Sequence, residues 1–272
     1  MNFNQRALIN NDLDISEELN NFRSEPVDFD LETSDYFYVA QEMPFNHLYF
    51  LVDTVNEMPA ALSVDVWYAN QWQPVVDLAD RTRGLTRSGR VSFSTSWRLG
   101  WDWEDRAERI TGLTGVEIYD MFWARLSWDA NLSEDTKIKY VGQKFCSDAD
   151  LEGIYPDMRH ANVKTMFGGA GKTTWETETL VATQDIIDEL KRRGIIQAKG
   201  QVLDWTVFRT ACIHRTAYII YHGLGTAYTE RRNQAAEEYK QAMNIKNFRV
   251  DRTQDAKLSV AERKYSQKIM RR

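Results

Sequence analysis

The spacing of apolar residues changes once along this chain, from every second residue to every third or fourth. Before Cys146, apolar and polar residues alternate in several short stretches, and after Thr183 the apolar residues recur at helical spacing. Alternation places one set of side chains on each face of a strand, whereas the wider spacing places them along one side of a helix. The sequence therefore predicts an α+β protein with its strands first and its helices second.

The predicted strands lie within residues 35–147. Residues 62–68 (LSVDVWY) and 91–97 (VSFSTSW) alternate most clearly, and turn residues separate them from their neighbours. Short strands that alternate with turns in this way are typical of an antiparallel sandwich. We expect an N-terminal antiparallel β-sandwich domain, jelly-roll-like, of six or seven strands, for which the further apolar runs are 36–39, 48–52, 121–128 and 137–145.

The predicted helices form a small module at residues 183–245. Thr183 is a favourable N-cap, and Gly194 follows a basic last turn in the position of a C-terminal glycine. Asp204 is expected to cap a second helix, and a third helix is expected over residues 226–243.

Three further segments complete the predicted organisation. Residues 1–34 are polar and acidic, and we expect an arm that orders only against something else. Residues 148–182 are expected to be a long irregular connection. Residues 246–272 form a C-terminal extension, in which Ser259 and Glu262 compose a capping box that opens a last helix.

The charges are unevenly distributed along the chain. Residues 191–272 contain 18 Lys and Arg against 7 Asp and Glu, a formal charge of +11, and because the whole chain carries −6 the first 190 residues carry −17. Opposite fields of this kind favour association with further copies or with an acidic partner. Solvated helix faces would produce the same asymmetry, so charge alone does not decide between these interpretations.

Composition excludes several classes of protein. No apolar stretch approaches the ~20 residues that cross a bilayer, and the first residues lack the pattern of a secretory signal. Cys146 and Cys212 are far apart and match neither a disulfide framework nor a zinc spacing. A reduced, cytosolic site of synthesis is therefore expected.

A glycine-rich motif at residues 168–173 (GGAGKT) is similar to a phosphate-binding loop. Such a loop needs a glycine five positions before Gly171, where this chain has Met166, and a helix that opens at Lys172. Because both features are missing from the pattern, a flexible glycine loop is favoured over nucleotide binding.

Residues 251–262 are similar to a twelve-residue calcium loop. Its candidate oxygen ligands are Asp251, Thr253, Asp255 and Glu262. Ala256 stands where such loops require glycine, so a turn that feeds a capped helix without metal is the favoured interpretation.

No reactive side chains converge in the sequence. His214 and His222 lie two helical turns apart without a third ligand, and the acids beside Trp101 and Trp103 have no distant partner carboxylate. We expect a protein that is not an enzyme and that has no cofactor. A sandwich that binds carbohydrate or a receptor through Trp101 and Trp103 remains an alternative, because tryptophans anchor interfaces.

The helical region resembles the head–tail adaptor, or neck, proteins of tailed bacteriophages. The residues that carry the likeness are 183–205, Tyr218, the Leu224–Gly225 pair and Tyr228, with a basic end at Arg271 and Arg272. The pattern of Trp67, Trp72, Asp80, Thr82 and Gly84 is similar to β-domains of virion proteins near the neck. Together these patterns cover about two thirds of the chain.

The resemblance implies a structural virion protein at the head–tail junction, made in the host cytoplasm. It implies a ring of about twelve copies between the portal protein and neighbouring neck or tail proteins, with genome DNA passing through the bore without specific recognition. It implies no membrane. The residues expected at interfaces are Trp101, Trp103, Arg231, Arg232, Lys264, Lys268, Arg271 and Arg272.

Overall fold

The computed structural model describes residues 5–10, 13–94, 101–102 and 121–244. The predicted fold class is confirmed, because two antiparallel sheets built mostly from N-terminal strands are followed by helices. The described chain divides into two compact units. The first contains residues 5–142 and Ala198–Leu203, and the second contains Gln143–Gln197 and residues 204–244.

Eleven strands of the described chain form a six-stranded and a five-stranded sheet. The six-stranded sheet has the order β2-β1-β4-β10-β6-β7 and contains β1 (Gln5–Ile9), β2 (Leu13–Asp14), β4 (Phe37–Gln41), β6 (Leu62–Tyr68), β7 (Gln71–Pro74) and β10 (Phe122–Trp128). The five-stranded sheet has the order β3-β11-β5-β9-β8 and contains β3 (Val27–Asp28), β5 (His47–Thr54), β8 (Val76–Asp80), β9 (Gly89–Ser94) and β11 (Lys137–Gly142).

Alternate residues of both sheets meet in one apolar core. Phe37 and Val39 of β4 lie in it beside Phe50 of β5, and each of these side chains is fully buried. The alternation predicted for β6 and β9 holds, since Val64, Val66, Val91 and Phe93 are buried while Asp65 and Ser92 between them are not. Burial of one face of each sheet is what fixes strand register.

The acidic N-terminal segment is part of the sandwich, and the prediction that it forms an arm ordering only against something else is wrong for its described residues. β1 pairs with β4 over five residues, from Gln5↔Gln41 to Ile9↔Phe37. The helix α1 (Ser16–Asn20) buries Leu19, and Phe29 and Leu31 are buried beyond it. The described acids of the segment face solvent, while Ile15, Leu19, Phe29 and Leu31 belong to the core and Leu13 is exposed.

Most of the segment predicted as an irregular connection is helical. It contains α2 (Asp148–Ile154), a short 3-10 helix (Pro156–Arg159) and α3 (Ala161–Gly168), and it ends in the first turns of α4 (Glu176–Arg192). Ser147 caps α2 through a capping box with Asp150.

α4 begins seven residues before the predicted cap at Thr183. Trp175 anchors its start, because the indole is fully buried and its Nε1 donates to the carbonyl oxygen of Met158 at 2.9 Å. Thr183 lies inside the helix, where its hydroxyl donates to the Thr179 carbonyl oxygen. The predicted end is confirmed: Gly194 has φ +67°, and the N–H of Ile195 donates to the Leu190 carbonyl oxygen in a Schellman-type ending.

The two remaining helices of the described chain are α5 (Arg209–Gly223) and α6 (Thr229–Ala242). A 3-10 helix (Trp205–Phe208) precedes α5, so Asp204 does not cap an α-helix directly. α5 packs against both α4 and α6 and is therefore the central helix of this unit. No helix in the described ranges is long and apolar enough to span a bilayer.

Candidate assembly surface

A rigid turn between β8 and β9 presents three arginines. The carboxylate of Asp80 holds the turn, since Oδ1 accepts from the backbone N–H and the hydroxyl of Thr82 and Oδ2 accepts from the N–H of Gly84. Gly84 has φ +67°, and a Cβ there would lie 2.1 Å from the carbonyl oxygen of Ala60. Only glycine fits this position. The next residue, Leu85, is buried in the core.

Arg81, Arg83 and Arg87 are exposed on this turn, and Nε of Arg87 donates to the carbonyl oxygen of Arg81 at 2.9 Å. We call residues 81–88 the arginine turn. Within the described ranges no carboxylate lies within ion-pair distance of any of the three guanidinium groups. The local density of arginine within an otherwise acidic half of the chain is the sequence signal that could have identified this surface.

The opposite edge of the five-stranded sheet is acidic. Glu25, Asp28, Asp30 and Glu32 lie on or beside β3, and all four are exposed. We call these four residues the acidic edge. Lys137 of β11 pairs with Asp28 at 2.6 Å, and the hydrogen bond and charge of Asp28 raise the pKa of Lys137. Residues 25–35 contain no lysine or arginine, so the edge remains strongly negative.

The sheet order keeps these two charged surfaces apart. β3 and β8 are the outer strands of the sheet, and three strands lie between them. Four inter-strand spacings of ~4.8 Å separate the edges by about 19 Å. The arginine turn therefore has no opportunity to pair with the acidic edge of its own chain.

Neither edge is well suited to adding another strand. β3 is two residues long, and the pairing of β8 is irregular between Val76 and Ala79, with Asp77 at φ +54°. Short and irregular edges oppose indiscriminate strand pairing. A partner at either edge would therefore be recognised by side chains.

Two exposed apolar residues lie close to the arginine turn. Val55 is 43% and Met58 51% exposed. Val55 precedes Asn56, and Met58 follows it after the exposed Glu57. The side chain of Asn56 donates to the Gly84 carbonyl oxygen at 2.8 Å and accepts from the N–H of Ser133. An apolar centre with a charged rim is the usual composition of a protein interface.

The described tryptophans of the sandwich do not form an open binding face. Trp101, predicted at an interface, is 6% exposed and packs in the core, with its ring centroid 5.0 Å from that of Phe45. Trp67 and Trp123 are also buried. Trp72 is half-buried beneath the guanidinium of Arg125. Trp103 lies outside the described residues, and the buried tryptophans do not favour the carbohydrate-binding alternative.

Lys172 of the glycine motif is committed to a contact within its own unit. Its Nζ lies 2.9 Å from Oε2 of the buried Glu178 and over the rings of Phe167 and Trp175. Gly168 ends α3, and the turn that follows returns the lysine to α4. The first turn of α4 carries carboxylates, which repel phosphate. This geometry does not favour the nucleotide-binding alternative.

A polar cluster joins the segment after α2 to α5 and α6. The hydroxyl of Tyr155 donates to Oε2 of Glu238 at 2.7 Å and lies 2.8 Å from Nδ1 of His214. Burial, with the nearby Glu238, raises the pKa of Tyr155, and burial lowers the pKa of His214. A neutral phenol, a neutral imidazole and a carboxylate thus bond to one another and hold three segments together.

The predicted interface arginines of the helical unit differ in their surroundings. Arg231 is 2.6 Å from Oδ2 of Asp157, which also accepts from the hydroxyl of Tyr221. Burial is the main cause that raises the pKa of Tyr221 to about 12, and the nearby Asp157 acts in the same direction. Arg232 is half-buried. The structure therefore uses Arg231 in an intramolecular ion pair.

Metal binding has no support among the described residues, where no group of three His, Cys, Asp or Glu side chains could hold an ion. His214 and His222 do not converge, since His214 is bonded within the cluster and His222 is exposed. Outside the described residues lie the calcium-like loop with Asp251, Thr253, Asp255 and Glu262, and the predicted interface residues Lys264, Lys268, Arg271 and Arg272.

Comparison with known proteins adds no relative. The chain matches no protein-family model and no curated protein.

Proposed function

We propose that this protein is a structural protein that assembles with its own copies head to tail. The observation that carries the proposal is the opposite charge of the two edges of one sheet, the arginine turn beside β8 and the acidic edge at β3. A contact between two different surfaces is heterologous, and it closes into a ring when the rotation between neighbours divides a full turn.

The physical chemistry of both surfaces supports such a contact. The arginines are presented by a turn whose backbone Asp80 and Gly84 hold in one conformation, so little backbone entropy of the turn remains to be lost on association. Clustered opposite charges accelerate encounter and fix register more than they raise affinity. The contact is therefore expected to be weak for an isolated pair and to gain strength when a closed assembly forms.

We also propose that the assembly is a connector at the neck of a tailed bacteriophage. The support is the resemblance of the helical region to head–tail adaptors, together with a fold in which a sandwich precedes a helical unit. In that setting the neighbours are the portal protein and further neck or tail proteins, and DNA passes through the bore.

Sedimentation of the full chain tests self-association. We expect concentration-dependent association at low salt that weakens as salt screens the charges. The double variant Arg83→Glu and Arg87→Glu should associate at least about tenfold more weakly, because each exposed ion pair contributes up to ~1 kcal/mol and reversal replaces attraction with repulsion. Lys240→Glu, an exposed reversal in the helical unit, is the control. Equal association of the double variant and the wild type would refute the head-to-tail contact.

Co-expression with a tailed-phage portal protein tests the neck assignment separately. We expect a ring seated on the portal in electron micrographs. Self-association without any portal complex would leave the assembly proposal intact and reject the neck.

A further inference from the structure

Cys146 and Cys212 lie against each other in the helical unit, although 66 positions separate them in the sequence. Their Sγ atoms are 2.8 Å apart, and both residues are buried. This separation is only about 0.8 Å longer than a disulfide bond. The sequence showed only that the two cysteines are far apart in the chain, and folding brings them into contact.

Both sulfur atoms are held by well-anchored backbone. Cys146 directly precedes Ser147, the N-cap of α2, and follows Phe145, whose N–H donates to Oγ1 of Thr183 at 3.1 Å. Cys212 lies in the central helix α5. Since neither segment is a loop tip, the two sulfur atoms are not brought together by chance motion of a mobile chain.

The surroundings of the pair are polar for a buried site. Oγ1 of Thr183 lies 3.5 Å from the sulfur of Cys212, and Oγ1 of Thr216 lies 3.8 Å from that of Cys146. Burial raises the pKa of Cys146, as does its contact with Cys212. Burial by itself would raise the pKa of Cys212, but hydrogen bonds from Cys146 and Thr183 and the charge of Lys144 lower it.

We propose that Cys146 and Cys212 form a reversible disulfide that links the entry of the helical unit to its central helix. The oxidant is a hydroperoxide. The thiolate of one cysteine attacks one peroxide oxygen and becomes a sulfenic acid, while the other oxygen leaves as an alcohol or as water. The sulfur of the second cysteine then attacks the sulfenic sulfur, the S–S bond forms and water leaves. Two thiols lose two electrons and two protons in total, and the peroxide is reduced by two electrons.

This inference does not rest on the proposed function. The chain made in a reducing compartment would carry the dithiol, and exposure to oxidising surroundings would convert it. The bond would close a loop that contains α2, α3 and α4, and would therefore hold these helices against α5.

The test is peroxide treatment of the full-length protein, followed by denaturation, labelling with N-ethylmaleimide and measurement of the intact mass. We expect the untreated chain to take two labels and the treated chain to take none and to be two hydrogens lighter. A thiol reductant should restore both labels. The Cys212→Ser variant, checked for folding by circular dichroism, should remain unlinked within the chain.

Peptide mapping of the treated wild type decides the pairing without any variant. One peptide pair that joins Cys146 to Cys212 supports the proposal. Two labels retained after complete treatment, or a link that joins two separate chains at twice the monomer mass, would overturn it.

Discussion

Replacing Phe29 with alanine probes how far the N-terminal segment belongs to the sandwich. The ring is fully buried, and its centroid lies 5.0 Å from that of Phe37 and 5.8 Å from that of Trp128, edge to face in both cases. A buried Phe→Ala change in a core that relaxes only partly costs about 3–5 kcal/mol. We therefore expect Phe29→Ala to remove a large share of the stability of the sandwich.

Phe22→Ala is the matched control, because Phe22 lies in the same segment but is half-buried. Its ring meets Tyr140 edge to face at 5.9 Å. Loss of one such partly exposed contact should cost about 1 kcal/mol. Two phenylalanines close together in sequence are thus expected to differ several-fold in their effect.

Urea unfolding that is monitored by hydrogen exchange measures the stability of the two units separately. With a slope of roughly 2 kcal/mol per molar urea, Phe29→Ala should lower the midpoint of the sandwich by about 1.5–2.5 M and leave that of the helical unit unchanged. A cost no larger than that of Phe22→Ala would refute the reasoning, since the segment would then be peripheral.

Two further predictions concern backbone geometry and pH. Gly84→Ala should destabilise the sandwich by about 2–5 kcal/mol, because a left-handed backbone and a clash with the Ala60 carbonyl oxygen add together. Gly194→Ala, with the same φ of +67° in open space, should cost only about 1–2 kcal/mol in the helical unit, and thermal unfolding compares the two variants. Burial of the ring holds the pKa of His214 below its ordinary 6.5, although the charge of Glu238 opposes the shift. The stability it contributes is complete above pH 6.5 and is lost as the pH falls through the lower folded pKa. Glu238, with its pKa lowered by Tyr155, acts in the same direction at more acidic pH. His214→Asn should flatten the pH dependence of unfolding on the acid side, and an unchanged slope would contradict this.

The strands with clear alternation could be predicted from the sequence, and several others could not. The observed bounds of β6 equal the predicted residues 62–68, because a strand with one buried face needs apolar side chains at alternate positions. β1 carries only a short apolar stretch within an acidic segment, and its pairing with β4 depends on a strand about thirty residues away. Deleting the segment as a supposed arm would therefore remove part of the core.

The start of α4 could not be predicted from the sequence for a different reason. Threonines such as Thr177 and Thr179 favour strands and caps over helix interiors, so the local signal points to a start at Thr183. Burial of Trp175 overrides that preference. Its backbone N–H also donates to Oδ2 of Asp148, which lies 27 residues earlier in the chain. Tertiary packing of this kind has no local sequence signature.

The candidate sites show the same division. The misfit of the glycine motif to a phosphate loop was visible in the sequence, and the ion pair of Lys172 with Glu178 gives the lysine a structural role. The contact between Cys146 and Cys212 could not be predicted, because nothing near either residue indicates the other. The arginine turn was visible as a local pattern, but its position opposite the acidic edge depends on strand order.

A mixing experiment tests the head-to-tail contact most directly. One variant carries Arg83→Glu with Arg87→Glu, so that both of its surfaces are acidic. The other carries Glu25→Lys, Asp30→Lys and Glu32→Lys, so that its former acidic edge, where only Asp28 is still acidic, is basic. Each should fail to associate alone, while an equimolar mixture should sediment as an alternating assembly, since every contact again joins opposite charges. A mixture in which both variants remain monomeric while the wild type associates would contradict the account.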